Sequence, residues 1–294
     1  MTPSLREGFD ALLLDLDGTL YRGADVITGA PAALAGGPGQ ALMYVTNNAS
    51  RSADAVAEHL RELGFRATAD EVVTSAQAAA HVLASRLDTG ATVLIVGSDD
   101  LAAEIGKAGL RPIRRFDGVV PDAVVQGHSP ATSWPDLAEA SYAVRAGALW
   151  VAANTDATLP NERGLAPGNG AMVAALRAAT DAEPVVAGKP YAPLLEDALV
   201  RAGTRNALVV GDRLDTDIDG ARSVGLPSLM VLTGVSTIDD LRGRPADQRP
   251  TYLARDLDAL NHPVARPAQR DGDPIDHLTE LLDENPGRAI TLAD

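Results

Sequence analysis

Residues 11–20 read ALLLDLDGTL, an unbroken apolar run that ends in two aspartates, a glycine and a threonine. Six further short runs share its character: ALMYV (41–45), TVLIV (92–96), AVVQ (123–126), ALWVAA (148–153), ALVV (207–210) and SLMVL (228–232). Apolar runs of this length, separated by helical patterns, predict βαβ units around a mainly parallel sheet. Between them, Ser52 can cap ADAVAEHLREL, which closes at Gly64, and DIDGARSV closes at Gly225 with Pro227 just beyond.

Three of these runs deliver polar groups at their carboxyl ends. ALLL leads into Asp15, ALMYV into Thr46-Asn47-Asn48, and ALVV through Gly211 into Asp212. Ligands of open parallel sheets bind outside those ends, so the three runs predict one functional rim. Asp15 and Asp17 are two apart, which aims both to one side as the chain leaves its strand. Gly18 permits the tight turn that follows and Thr19 can hold it. Asp217 lies five residues after Asp212, near the start of the next helix, where a carboxylate is favourable.

Asp215, Asp217, Asp219 and Gly220 also match the opening of a calcium-binding EF-hand loop. That loop needs a bidentate Glu at its twelfth position, which here is Leu226, and a preceding helix where this chain has a strand. The EF-hand is excluded. Carboxylates sharing one pocket either gain protons or bind a cation, and oxygen donors favour a hard one, Mg²⁺ first. Residues 185–190, VVAGKP, hold Lys189, one of only two lysines in a chain whose other basic residues are arginine. A compact, mobile ammonium does there what a planar guanidinium cannot.

The chain as a whole limits the possibilities. Its 294 residues suffice for two domains, and 46% hydrophobic with 22% charged residues describes a globular protein. Aromatics are 3%, so Ala, Val and Leu must build the core. There is no cysteine, which excludes disulfides, thiolate metal sites and a cysteine nucleophile. A net charge of −15 disfavours nucleic acid and anionic membranes as partners. With neither a signal pattern nor a bilayer-length apolar run, a cytoplasmic protein is expected.

With Asp15-Leu16-Asp17-Gly18-Thr19, Thr46-Asn47-Asn48, Gly188-Lys189-Pro190, and Gly211-Asp212 followed by Asp217, the sequence resembles the haloacid dehalogenase superfamily of phosphatases. All four of that superfamily's motifs appear in order. VTNNASRSADAVAEHLRELGF and LVVGDRLDTDIDGA look like its branch of p-nitrophenylphosphatases, phosphoglycolate phosphatases and glycerol-phosphate phosphatases. The likeness covers about residues 9–261 and looks closest to actinobacterial members, among them a glycerol-3-phosphate phosphatase.

The resemblance implies an α/β, Rossmann-like core with an inserted α/β cap. It sets the core at residues 1–75 and 183–262 and the cap at 76–182. After about residue 262 the text turns Pro- and charge-rich (HPVARPAQRDGDP) before a weak amphipathic stretch, IDHLTELLDE, so residues 263–294 are expected to form a linker and a loosely docked short helix. The runs at 92–96, 123–126 and 148–153 then belong to the cap, and the other four to the core.

It further implies Asp15 as nucleophile, Asp17 as acid and base, and Thr46 and Lys189 as ligands of the phosphoryl oxygens. Mg²⁺ would be held by Asp15, the Asp17 carbonyl, Asp212 and Asp217. Substrate contacts are expected from Gly18, Thr19, Asn47, Asn48, Asp156, Arg163 and Asn169, with Asn154 a further candidate. His128 follows a cap strand, but Ser129 and Pro130 stand where branch members often carry Asp or Arg.

The implied activity is hydrolysis of a small phosphate monoester, glycerol 3-phosphate first, then phosphoglycolate, a sugar phosphate or a nucleotide. A phospho-acceptor and a silent binding scaffold are the alternatives outside that class. A homodimer through the cap is expected from relatives.

Overall fold

The computed structural model describes residues 2–37, 39–116, 118–161, 163–266 and 274–292. The chain divides into two compact units. One comprises Met1–Val45, Ala57–Val72 and Ala198–Asp294, the other Thr46–Val56 and Val73–Asp197.

The first unit is built on a seven-stranded sheet. Its spatial order is Ile290–Thr291, Tyr252–Ala254, Ser228–Val231, Ala207–Gly211, Ala11–Leu14, Ala41–Thr46, Val72–Thr74. From Tyr252–Ala254 across to Ala41–Thr46 every pairing is parallel, and Ile290–Thr291 adds an antiparallel edge. Ala11–Leu14 lies between two partners, Leu12 opposite both Leu208 and Leu42. A strand covered on both faces has no polar side, which is why ALLL and ALVV are apolar without alternation.

The second unit carries a five-stranded parallel sheet, ordered Val185–Val186, Leu149–Ala152, Ala123–Gln126, Thr92–Val96, Arg111–Ile113. Helices Trp134–Arg145 and Asn169–Thr180 contribute Ala140, Ala143, Val173 and Leu176 to a core with Leu94, Val124 and Trp150. The three runs expected to leave the main sheet all lie in this second one. Between Leu149–Ala152 and the helix Asn169–Thr180, the Gly/Pro-rich stretch forms an antiparallel hairpin, Thr158–Asn161 with Gly164–Pro167.

The helix punctuation works as expected. The Ser52 hydroxyl accepts from the Ala55 N–H at 3.2 Å at the head of Ala53–Glu62, and Gly64 follows with φ +91. The helix read from Asp217 starts earlier, with a wide turn Leu214–Ile218 before Asp219–Ser223. In that turn the Ile218 N–H reaches the Arg213 carbonyl at 3.2 Å, an i→i+5 bond of the kind that recurs at functional sites. Among the described residues no helix is long and apolar enough to cross a membrane.

The tail departs from expectation. Residues 267–273 of the expected linker lie outside the described residues. The short helix exists, Leu278–Glu284, but it is not loosely docked. Leu278, Leu281 and Leu282 are almost wholly buried against Leu214, Ile218, Met230, Leu241 and Leu253. Their i, i+3, i+4 spacing forms one apolar face, and Ile290–Thr291 then extends the sheet. Leu281→Ala should therefore lower unfolding stability by about 2–5 kcal/mol in a denaturant titration. An unchanged midpoint would restore the loosely docked reading.

Candidate active site

In the first unit, Asp15, Asp212 and Asp217 each offer a carboxylate oxygen, and these lie within 4.8 Å of one another. Asp15 continues Ala11–Leu14, its N–H bonded to the Val210 carbonyl at 2.8 Å, so the sheet itself sets its position. Asp212 leaves the neighbouring strand fully buried. Its Oδ1 accepts from the Thr19 hydroxyl at 3.3 Å and its Oδ2 from the Val235 N–H at 2.7 Å. Asp217 is also buried and accepts from the Arg213 N–H at 3.0 Å.

Backbone presses closely on Asp212. A Cβ at Gly234 would stand 1.9 Å from Oδ2, so only glycine lets the 233–236 turn wrap this carboxylate. The sequence reading missed that turn. Its signal was present: TGVS directly follows the strand-forming run SLMVL. Gly18 forms the expected tight turn at φ +92, with its carbonyl accepting from the Thr233 hydroxyl at 2.7 Å. Thr19, a candidate substrate contact, is instead fully buried with its hydroxyl on Asp212. It holds a carboxylate in place.

The neighbouring aspartates separate cleanly. Asp215 pairs with Arg213 at 2.8 Å and Asp219 with Arg244 at 2.6 Å, leaving Asp217 as the member of that run in the three-carboxylate cluster. Asp17 is solvent-exposed on one side. The protein packed around its other side raises its pKa above the ordinary aspartate range, against the lowering effects of the Gly23 N–H and the Arg22 charge. A carboxyl so placed retains its proton to higher pH, as a general acid requires.

In the second unit, Thr46 ends its strand buried, and its hydroxyl accepts from the Asn48 N–H at 3.1 Å. Asn48 is exposed, its side chain turned back to the Ser50 N–H at 2.7 Å. Lys189 is 3% exposed, and the Lys189–Pro190 peptide is cis. Asn47 bonds both main-chain groups of Lys189 and faces the Asp156 carboxylate at 3.3 Å. Asn154 donates to the Asn47 carbonyl at 2.7 Å.

The remaining candidates are dispersed. Asn169 is buried, donating to the carbonyls of Asn154 at 2.7 Å and Gln126 at 3.3 Å, so its amide ties the sheet to a helix start. Arg163 is exposed on the hairpin turn. His128 follows Ala123–Gln126, and burial lowers its pKa, which favours neutral imidazole.

A profile described as haloacid dehalogenase-like hydrolase matches residues 12–111, and a second, HAD-hydrolase-like, matches residues 186–260. The chain is 59% identical over 258 residues to a D-glycerol 3-phosphate phosphatase of Mycobacterium tuberculosis, covering 88% of this chain and 72% of that protein. It is 38% identical over 253 residues to an acid sugar phosphatase of Staphylococcus aureus, covering 85% and 95% of the two chains.

Among solved structures, a glycerol phosphate phosphatase from Mycobacterium tuberculosis in complex with magnesium aligns at a TM-score of 0.86 and 58% identity. That alignment covers 89% of this chain and 79% of the other. A p-nitrophenyl phosphatase from Archaeoglobus fulgidus aligns at 0.77 and 28% identity, over 85% and 97%. With its four motifs, its three gathered carboxylates and these relatives, the chain belongs to the haloacid dehalogenase-like hydrolases.

Proposed function

We propose that this chain is a Mg²⁺-dependent phosphatase acting on a small phosphate monoester, glycerol 3-phosphate first, through a phosphorylated Asp15. One observation carries the reading: Asp15, Asp212 and Asp217 converge to within 4.8 Å in a chain 59% identical to a glycerol 3-phosphate phosphatase. The donors are carboxylate oxygens in a chain without cysteine, a set that fits a hard divalent cation. Asp15, Asp212 and Asp217, with the Asp17 carbonyl, would hold Mg²⁺. When bound, the ion offsets negative charge shared by the carboxylates and the phosphoryl oxygens.

The residues then divide the reaction. An Asp15 oxygen attacks phosphorus as the bond to the substrate alcohol breaks, and the Asp17 carboxyl gives its proton to the departing oxygen. Asp17, now ionised, takes a proton from the water that attacks the aspartyl-phosphate. The bond to Asp15 breaks and inorganic phosphate leaves. Thr46 and Lys189 serve as donors to the phosphoryl oxygens, with Lys189 also supplying positive charge. Residues 76–182 act as the cap that sets substrate choice, and the enzyme works in the cytoplasm.

Phosphate release from a panel of monoesters tests the substrate. Glycerol 3-phosphate should show the highest kcat/KM. A preference for sugar phosphates would move the chain towards its acid sugar phosphatase relatives, and no turnover of any monoester would overturn the reading. Lys189→Met should lower kcat by ~10²–10³, about 3–4 kcal/mol of barrier, with an unchanged circular dichroism spectrum. Near-normal turnover would remove Lys189 from the mechanism.

A further inference from the structure

We propose that Asn47 is a positioning residue that fixes the main chain of Lys189 and thereby the origin of its side chain. The inference rests on the reading that Lys189 serves the phosphoryl group.

One side-chain amide holds both backbone groups of a single residue. Asn47 Oδ1 accepts from the Lys189 N–H at 2.8 Å, and its Nδ2 donates to the Lys189 carbonyl at 3.0 Å. Only a group with a donor and an acceptor in one plane can do this. Aspartate would put a second oxygen against the Lys189 carbonyl, and serine would reach one group at most. Asn47 Nδ2 also faces both oxygens of Asp156 at 3.3 Å. The Lys189 N–H and carbonyl fix which end of the amide is the donor, and Asp156 lies on that same donor side.

The backbone that carries the amide is itself braced. The Asn47 main-chain carbonyl accepts from the Ser75 hydroxyl at 2.6 Å and from Asn154 Nδ2 at 2.7 Å. Asn154 Oδ1 in turn accepts from the Asp156 N–H at 3.2 Å. At Gly188 a Cβ would lie 2.6 Å from Asn47 Oδ1 and 2.6 Å from the Ala153 carbonyl, so the glycine allows the Lys189 backbone to lie against the amide. Asn47 and Asp156, expected to touch substrate, thus have a different task in this arrangement. A displacement of about 1 Å at a reacting group can lower a rate by ~10²-fold, which makes the brace consequential.

The chain's two lysines, Lys107 and Lys189, make the test direct. Labelling the whole protein with ¹⁵N-lysine gives two backbone amide resonances, with Lys107 as internal control. In Asn47→Ala the Lys189 resonance should move and lose exchange protection while that of Lys107 stays. The kcat for the preferred monoester should fall by ~10²-fold with little change in KM. Asn47→Asp should be at least as impaired, and adding Asp156→Asn should recover part of its kcat by removing the facing charge.

Wild-type kcat in a folded Asn47→Ala, beside an impaired Lys189→Met, would overturn the inference. So would an unmoved Lys189 resonance. If Asn47→Ala fails to fold, as a displaced Lys107 resonance would reveal, the Asn47→Asp pair decides: no recovery in the double variant sinks the proposal. Full turnover in Lys189→Met removes the reading on which the inference rests, and that result is separate from either Asn47 outcome.

Discussion

Asp15→Asn is expected to release no phosphate above the uncatalysed background and to form no phosphoenzyme under mass spectrometry. Asp15 follows a strand buried on both faces, and its N–H is bonded to the adjacent strand, so the substituted side chain has no alternative backbone path to follow. Asparagine matches aspartate in shape, and the fold should survive, with a thermal midpoint close to that of the parent. What changes is nucleophilicity, because a neutral amide oxygen does not displace an alkoxide from phosphorus under these conditions. The substitution also removes one of the three carboxylates from the cluster, which should weaken Mg²⁺ binding. A variant that keeps substantial turnover would show that another residue carries the phosphoryl group.

Removing divalent cations should abolish turnover, and added Mg²⁺ should restore it. Three carboxylate oxygens within 4.8 Å, two of the residues buried, repel one another at on the order of 3 kcal/mol per pair for an effective dielectric near 20. Protons or a cation must offset this. Binding that relieves the repulsion in the folded state also stabilises it. At a Mg²⁺ concentration ~100-fold above Kd the gain is about 2.7 kcal/mol, visible as a raised thermal midpoint. The two readouts should share one Mg²⁺ dependence. Activity indifferent to a chelator would contradict the metal assignment, even with glycerol 3-phosphate confirmed as substrate.

The parts legible in sequence were those where burial leaves one composition possible. Strands covered on both faces are apolar throughout, so ALLL and ALVV stood out, and the carboxylates at their ends came with them. Thr19 and Asn169 were harder, because a hydroxyl or amide has the same letter whether it meets a ligand or a neighbour in the fold. Thr19 turned out to serve Asp212, and Asn169 two carbonyls. Strands of two or three residues, such as Val185–Val186 and Tyr252–Ala254, are too short to show a period. In the tail, the Pro- and charge-rich text before Leu278 obscured the apolar face that follows, and the burial of that face depends on side chains spread over Leu214 to Leu253, far upstream.

The pairing of Leu12 with Leu208 bears on how the molecule is made. These two neighbouring strands of the larger sheet lie far apart in the chain, and the residues between them include all of the second unit. During synthesis the first strand can pair with Ala41–Thr46 early, but its other edge must wait for Ala207–Gly211 while Val73–Asp197 can already collapse. Loop-closure entropy grows only slowly with the length enclosed, so prior collapse of that insert removes much of the search. Vectorial assembly would then complete the inserted unit before the larger sheet, and one edge of Ala11–Leu14 stays open to aggregation or chaperone capture until Ala207–Gly211 arrives.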